Sequence, residues 1–309
     1  MPEDLSLSLS KLLTEQRNPA TRDLDTLPIE GILRLINAQD KLVPAAVEHE
    51  IPYIVRAVEL VVASFKAGGR LIYVGAGTSG RLGIIDASEC PPTFGVDPGL
   101  VTGLIAGGRE AMFRSQEGAE DNTAQATLDL KLIGLTARDV VCGIAASRRT
   151  PYVVAAVTFA RSLGCRTLYL TTNPRKEFDI EVDVAICPEV GPEVLMGSTR
   201  MKSGTAQKLV LNMITTTAMV RMGKIYENMM VDLQLTNAKL VERSRRIVMM
   251  ATGSDYATAE KVLNDAKGHV KTAIVMLLAG VPAEEAKSRL LDSDGFVRGA
   301  ITATRTIKK

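Results

Sequence analysis

Residues 70–92 read Arg70-Leu71-Ile72-Tyr73-Val74-Gly75-Ala76-Gly77-Thr78-Ser79-Gly80-Arg81-Leu82-Gly83-Ile84-Ile85-Asp86-Ala87-Ser88-Glu89-Cys90-Pro91-Pro92. An apolar strand ends at Val74. A loop of small residues and hydroxyls follows, and a helix leaves it over Arg81–Ala87. Such a turn gathers backbone N–H groups around an anion, because the bare peptides and the positive end of the following helix face the same point. Glu89 then sits in a short segment closed by Pro91 and Pro92, and a second acidic stretch, Glu117 to Asp121, comes one strand later. A phosphate anchor with two carboxylates points to acid–base chemistry on a phosphorylated small molecule.

Outward from this turn, strands and helices alternate. Val101–Ala106, Asp139–Ala145, Thr167–Leu170 and Val182–Cys187 read as four further strands. Continuous apolar runs of this kind suit parallel strands buried on both faces. Helical spacing marks Tyr53–Phe65, Ala119–Leu132, Tyr152–Leu163 and Ser203–Tyr226. The expected fold is α/β: a doubly wound, mainly parallel five-stranded sheet with N-terminal helices and a C-terminal helical module. After about residue 230 strands disappear, and Lys239–Met250, Tyr256–Leu263, Val270–Leu278 and Ala283–Leu290 read as short helices. Three parts are expected: a helical extension over 1–52, the ligand-binding domain over 53–230, and the helical module over 231–309. Ligands in such sheets bind beyond the carboxyl ends of the strands.

Composition narrows the function. The chain has 309 residues and a formal charge of +2, so nucleic-acid binding has little support. Arg243-Ser244-Arg245-Arg246 reads as a solvated helix face. The first residues are polar, without an apolar leader, and no charge-free apolar stretch approaches a membrane span, so a cytoplasmic location is expected. Two histidines, His49 and His269, and four dispersed cysteines argue against a zinc site. Cys142 and Cys187 lie in apolar strands and read as buried thiols.

Gly75-Ala76-Gly77-Thr78-Ser79-Gly80 also fits the dinucleotide fingerprint, but the second strand ends in Ala106-Gly107-Gly108, where that site needs an acid. Arg81 stands where a P-loop needs Lys-Ser/Thr. One phosphate held by amides and hydroxyls fits better; a tight turn without a ligand is the alternative. Two further strand ends carry polar clusters: Ser147, Arg148, Arg149 and Thr150 before Pro151, and the loop from Gly191 to Thr205. Convergence on one polar ligand accounts for hydroxyls at three strand ends. Partial burial beside the prolines is expected for Glu89. Glu120 stands at a helix start, where the dipole favours the charged form and suits a base. Glu117 is its rival.

The stretches Gly75–Gly83, Asp86–Gly95, Glu117–Asp121 and Gly197–Lys208, with Thr14-Glu15-Gln16-Arg17-Asn18, closely resemble the N-acetylmuramic acid 6-phosphate etherases, over nearly the whole chain. The resemblance implies a sugar isomerase (SIS) domain, a helical tail, a homodimer, no metal and no cofactor. It implies cleavage of a D-lactyl ether, with Glu89 as the acid at the lactate oxygen and Glu120 as the C2 base. It makes Thr78, Ser79, Ser147 and Thr150 phosphate or sugar ligands, with Ser198, Thr199 and Lys202 as weaker ones. A solvated side chain near a helix start is the other reading of Lys202. The family pattern is Ala-Ala-Ser-Gly-Arg-Thr-Pro, whereas this chain has Arg148 in the glycine position, a change expected to disturb sugar-phosphate binding. A non-catalytic sugar-phosphate-binding regulator resembling glucokinase regulatory protein, or an aldose–ketose isomerase, are the alternative functions.

Overall fold

The computed structural model describes residues 13–147, 149–233 and 238–302. The chain divides into two compact units, one formed by the residues up to Ser88 with Pro98–Thr215, the other by Glu89–Asp97 with the residues from Thr216 onward.

The first unit is built on five parallel strands: β1 (Leu71–Gly75), β2 (Val101–Ile105), β3 (Val140–Ile144), β4 (Arg166–Leu170) and β5 (Val184–Ile186). Their order is β2-β1-β3-β4-β5. Every residue of β1 and β3 is buried, which is why both read as unbroken apolar runs rather than as alternating ones. The helices here are α1 (Ile29–Asp40), α2 (Val43–Glu48), α3 (Ile51–Lys66), the start of α4 (Gly77–Phe94), α5 (Thr123–Leu132), α6 (Pro151–Ser162) and most of α7 (Lys202–Arg221). On one face of the sheet, Ile72, Val74 and Val141 pack with Leu130 of α5 and with Tyr152, Val153, Ala156 and Val157 of α6.

Register aligns the carboxyl ends. Gly75 pairs with both Ile105 and Ile144, Ile144 with Leu170, and Leu170 with Ile186. The loops that follow the strands therefore leave from one edge of the sheet. At the opposite end, Asp139 ties β1 to β3. It accepts from the Arg70 amide at 2.9 Å and the Thr136 amide at 2.9 Å, and pairs with the Arg70 guanidinium at 2.8 Å. Burial alone would raise the Asp139 carboxyl, but these partners outweigh it and hold the group below its ordinary value. Its contribution is therefore present above the ordinary carboxylate range and is lost as pH falls through the depressed value. Asp139→Asn is expected to cost about 2–3 kcal/mol near pH 7, somewhat less than a fully buried pair because Arg70 is partly solvated. The deficit should narrow in urea titrations as pH drops below that range.

The second unit is helical, with one short hairpin. It contains the end of α4, β6 (Ile225–Tyr226), β7 (Met229–Met230), α8 (Ala238–Thr252), α9 (Tyr256–Asp265), α10 (Val270–Ala279), α11 (Ala283–Asp292) and α12 (Val297–Thr302). Val248, Ala259, Leu263, Ile274, Val275 and Leu290 fill its core. The hairpin corrects the expectation that one helix runs to Tyr226. Gly223, with φ of +69°, ends α7 and frees Ile225 to pair with Met230.

All four cysteines are buried. Burial pushes the thiols of Cys142 and Cys187 up to about 12, so they are protonated core residues.

Candidate active site

The glycine turn closes on itself. A Cβ placed on Gly75 would lie 2.5 Å from the Gly80 nitrogen and 2.8 Å from its Cα, so only glycine lets the first turn of α4 sit against the end of β1. Gly77 has φ of +53°, and the space around its missing Cβ is open. The amides at the start of α4 precede any turn of the helix that could accept from them, which is the arrangement that receives an anion. Ser79 is buried, and its hydroxyl donates to Gln207 Oε1 at 2.9 Å. Thr78 is half-buried beside it.

A cavity of about 320 Å³ opens next to this turn, lined by Gly77, Arg81, Ser115, Gln116, Glu117 and Glu120 among others. Glu120 lies in a single 3-10 turn, Ala119–Asp121, ahead of α5 rather than inside a longer helix. The true cap of α5 is Asn122, whose side chain accepts from the Gln125 amide at 3.0 Å. With that cap the helix starts at Thr123 rather than at Ala119, where the sequence suggests. Glu117 and Glu120 are both exposed, and the structure brings both carboxylates to this cavity.

Ser147 and Thr150 follow β3, the strand beside β1, and leave from the same sheet edge. Thr150 occupies the cap position of α6 but makes no side-chain capping bond, so its hydroxyl is not spent on the helix. Arg148 lies outside the described residues. The Ala146 carbonyl, just ahead of Ser147, accepts from Thr171 Oγ1 at 2.9 Å and from Asn173 Nδ2 at 2.6 Å. These bracing residues went unnoticed in the sequence. Their signal is the polar run Thr171-Thr172-Asn173-Pro174 directly after β4.

The third polar loop is arranged differently. Glu193, fully buried, caps α7 with both oxygens, accepting from the amides of Lys202 and Ser203 at 2.9 Å each. The Gly204 amide donates to the Thr199 carbonyl at 3.0 Å. The leading amides of α7 are thus already taken. Lys202 is not solvated: it is 1% exposed, and its Nζ donates to the Val190 carbonyl at 2.7 Å and to Gln39 at 3.1 Å. Burial lowers its pKa, partly offset by Glu193 and Asp40. Ser198 and Thr199 are half-buried in the preceding turn. A Cβ on Gly204 would lie 3.4 Å from Thr78 and 3.6 Å from the Thr199 carbonyl, which places this turn close to Thr78. The amino-terminal motif braces the same loop. Asn18 caps the 3-10 turn Pro19–Thr21, and its Nδ2 reaches the Pro192 carbonyl at 3.2 Å. Thr21 donates to the Val194 carbonyl at 2.8 Å.

Glu89 departs from expectation. Helix α4 continues through Pro91 and Pro92 to Phe94 instead of closing before them. On that helix Asp86, Ala87, Cys90 and Phe94 are buried, so Ile85, Ser88 and Glu89 fall on the opposite, exposed side. The expected burial beside the prolines is not found. Among the described residues, no group of three or more His, Cys, Asp or Glu is placed to hold a metal ion, and no helix is long and apolar enough to cross a membrane.

A five-stranded parallel sheet with a glycine turn and hydroxyl-bearing loops at its carboxyl edge defines the class as the doubly wound α/β proteins. Residues 53–161 match the profile of the glucokinase regulatory protein N-terminal SIS domain. The chain is 64% identical to the N-acetylmuramic acid 6-phosphate etherase of Salinibacter ruber over 97% of its length and 98% of that protein's. It is 55% identical to the etherase of Serratia proteamaculans, over 96% of this chain and 100% of that one. It is 53% identical to the etherase of Brucella anthropi, over 99% and 100%. The chain belongs to the N-acetylmuramic acid 6-phosphate etherase family.

Proposed function

We propose that the protein is a carbon–oxygen lyase that converts N-acetylmuramic acid 6-phosphate into N-acetylglucosamine 6-phosphate and D-lactate. The observation that carries this reading is similarity over the full length to proteins named for that reaction, with both acidic positions of the motif occupied.

The chemistry suits the groups present. Opening of the sugar ring exposes an aldehyde at C1, which acidifies the proton on C2. Glu120 removes that proton, and Glu89 donates one to the C3 ether oxygen as the C3–O bond breaks. A C2–C3 double bond forms and D-lactate departs. Water then adds, its oxygen to C3 and a proton to C2, giving the product sugar. Exposure of both glutamates leaves them open to a substrate. The 6-phosphate belongs at the start of α4, with Thr78 and Ser79, and the hydroxyls of Ser147 and Thr150 serve the sugar or phosphate. Ser198 and Thr199 are secondary ligands in this reading. Lys202, with its ammonium bound to Val190 and Gln39, supports the loop from beneath.

The same reading carries a homodimer, a cytoplasmic location where phosphorylated sugars are retained, and a division of labour among residues 1–52, 53–230 and 231–309. Light scattering of the purified protein measures the first.

The decisive experiment is incubation of the purified protein with N-acetylmuramic acid 6-phosphate and an enzymatic assay for D-lactate. Lactate appearing one for one with N-acetylglucosamine 6-phosphate is the expected result. Binding without lactate would favour the second reading, a sugar-phosphate-binding regulator, which the glucokinase regulatory protein profile keeps in view. An isomeric sugar without lactate would indicate an isomerase.

A further inference from the structure

Helices α4 and α7 meet along a polar seam within the first unit. Deep in it, Asp86 of α4 accepts from Asn212 Nδ2 at 2.6 Å, from Thr215 Oγ1 at 3.2 Å and from Tyr73 at 3.0 Å. Every partner there is matched. Nearer the start of α4 the match fails. Gln207 is 1% exposed and its Oε1 accepts the Ser79 hydroxyl, yet its Nε2 has no partner. Among the described residues this is the single buried side-chain nitrogen or oxygen without a hydrogen bond. Leaving a buried donor unmatched is costly, so its persistence beside a binding loop calls for an acceptor that arrives from outside.

The place indicates the acceptor. The carboxamide's own dimensions keep Nε2 within about 5 Å of Ser79 Oγ. Ser79 lies in the first turn of an 18-residue helix, whose leading amides favour an anionic oxygen. A neutral carboxamide can donate one N–H to that oxygen without adding a charge to the site.

We propose that Gln207 is a binding residue of the phosphate loop, its Oε1 fixing the Ser79 hydroxyl while its Nε2 donates to a phosphoryl oxygen held at the start of α4. The proposal rests on the phosphosugar reading above and extends it to a residue on a different helix, α7. Gln207 therefore sets affinity for the phosphate end of the ligand and takes no part in the proton transfers.

Two variants and two readouts test this. Gln207→Glu keeps the acceptor for Ser79 and replaces the donor by an anionic oxygen. Gln207→Met keeps the volume, removes both polar atoms and buries no charge, so it covers the case in which the glutamate variant fails to fold. For either, KM for N-acetylmuramic acid 6-phosphate should rise at least tenfold, with kcat within about threefold of the parent. The rise in melting temperature that inorganic phosphate gives the parent should be lost. A packing role alone would lower the melting temperature of both variants while leaving KM and the phosphate response unchanged, and that result overturns the proposal. A parent protein that inorganic phosphate does not stabilise overturns it too. A parent that phosphate stabilises but that releases no lactate rejects the etherase reading, and the thermal arm still decides Gln207.

Discussion

Glu89→Gln is expected to reduce D-lactate release by about 10²–10⁴-fold, the usual worth of a positioned proton donor. The substitution is isosteric and falls on the exposed side of α4, where side-chain changes usually shift stability by no more than about 0.5 kcal/mol. The melting temperature should therefore stay with the parent, which separates a chemical role from a structural one. Proton exchange sharpens the assignment. With Glu89 as the acid at C3, the Glu89→Gln variant should still exchange the C2 proton for deuterium in D2O while failing to expel lactate. Glu120→Gln should abolish that exchange. NMR of the recovered substrate reads both outcomes, and the opposite pattern would reverse the two roles. Full activity in Glu89→Gln would remove Glu89 from the mechanism.

Gly75→Ala is expected to damage both stability and binding. The new methyl would meet backbone at 2.5 Å and 2.8 Å, where no side chain can rotate aside. The first turn of α4 must then move away from β1. Such overpacking costs about 1–3 kcal/mol. Displacement of Ser79 and the leading amides should raise KM further, since misplacement by 1 Å can cost about 10²-fold. Gly77→Ala is the control. Its methyl enters open space, and only the left-handed backbone opposes it, at about 1–2 kcal/mol. Equal KM values for the two variants would show that close approach at Gly75 does not set the geometry of the site.

The central strands were legible in the sequence because burial on both faces writes a strand as an unbroken apolar run. β1 and β3 show this most plainly. The glycine turn was legible for a related reason: contact between backbone segments excludes every side chain at Gly75 and Gly80, so the constraint is local and appears as composition. Helix boundaries were harder to read where a side-chain bond sets them. Asn122 moves the start of α5, and Glu193 makes the start of α7 from nine residues away. Proline was misleading at positions 91 and 92: α4 runs on to a buried Phe94 although two helical N–H donors are lost.

By itself the sequence determined the parallel sheet, the glycine turn at its carboxyl edge and the family, since each is carried by residues adjacent in the chain. Tertiary structure alone decided the neighbours of those residues. It turned Lys202 inward to the Val190 carbonyl, set Glu89 on the open side of its helix, and left the Gln207 amide unmatched beside Ser79. The physical reason is that burial and hydrogen-bond partnership depend on groups more than a hundred residues apart in the chain, such as Ser79 and Gln207, meeting in space.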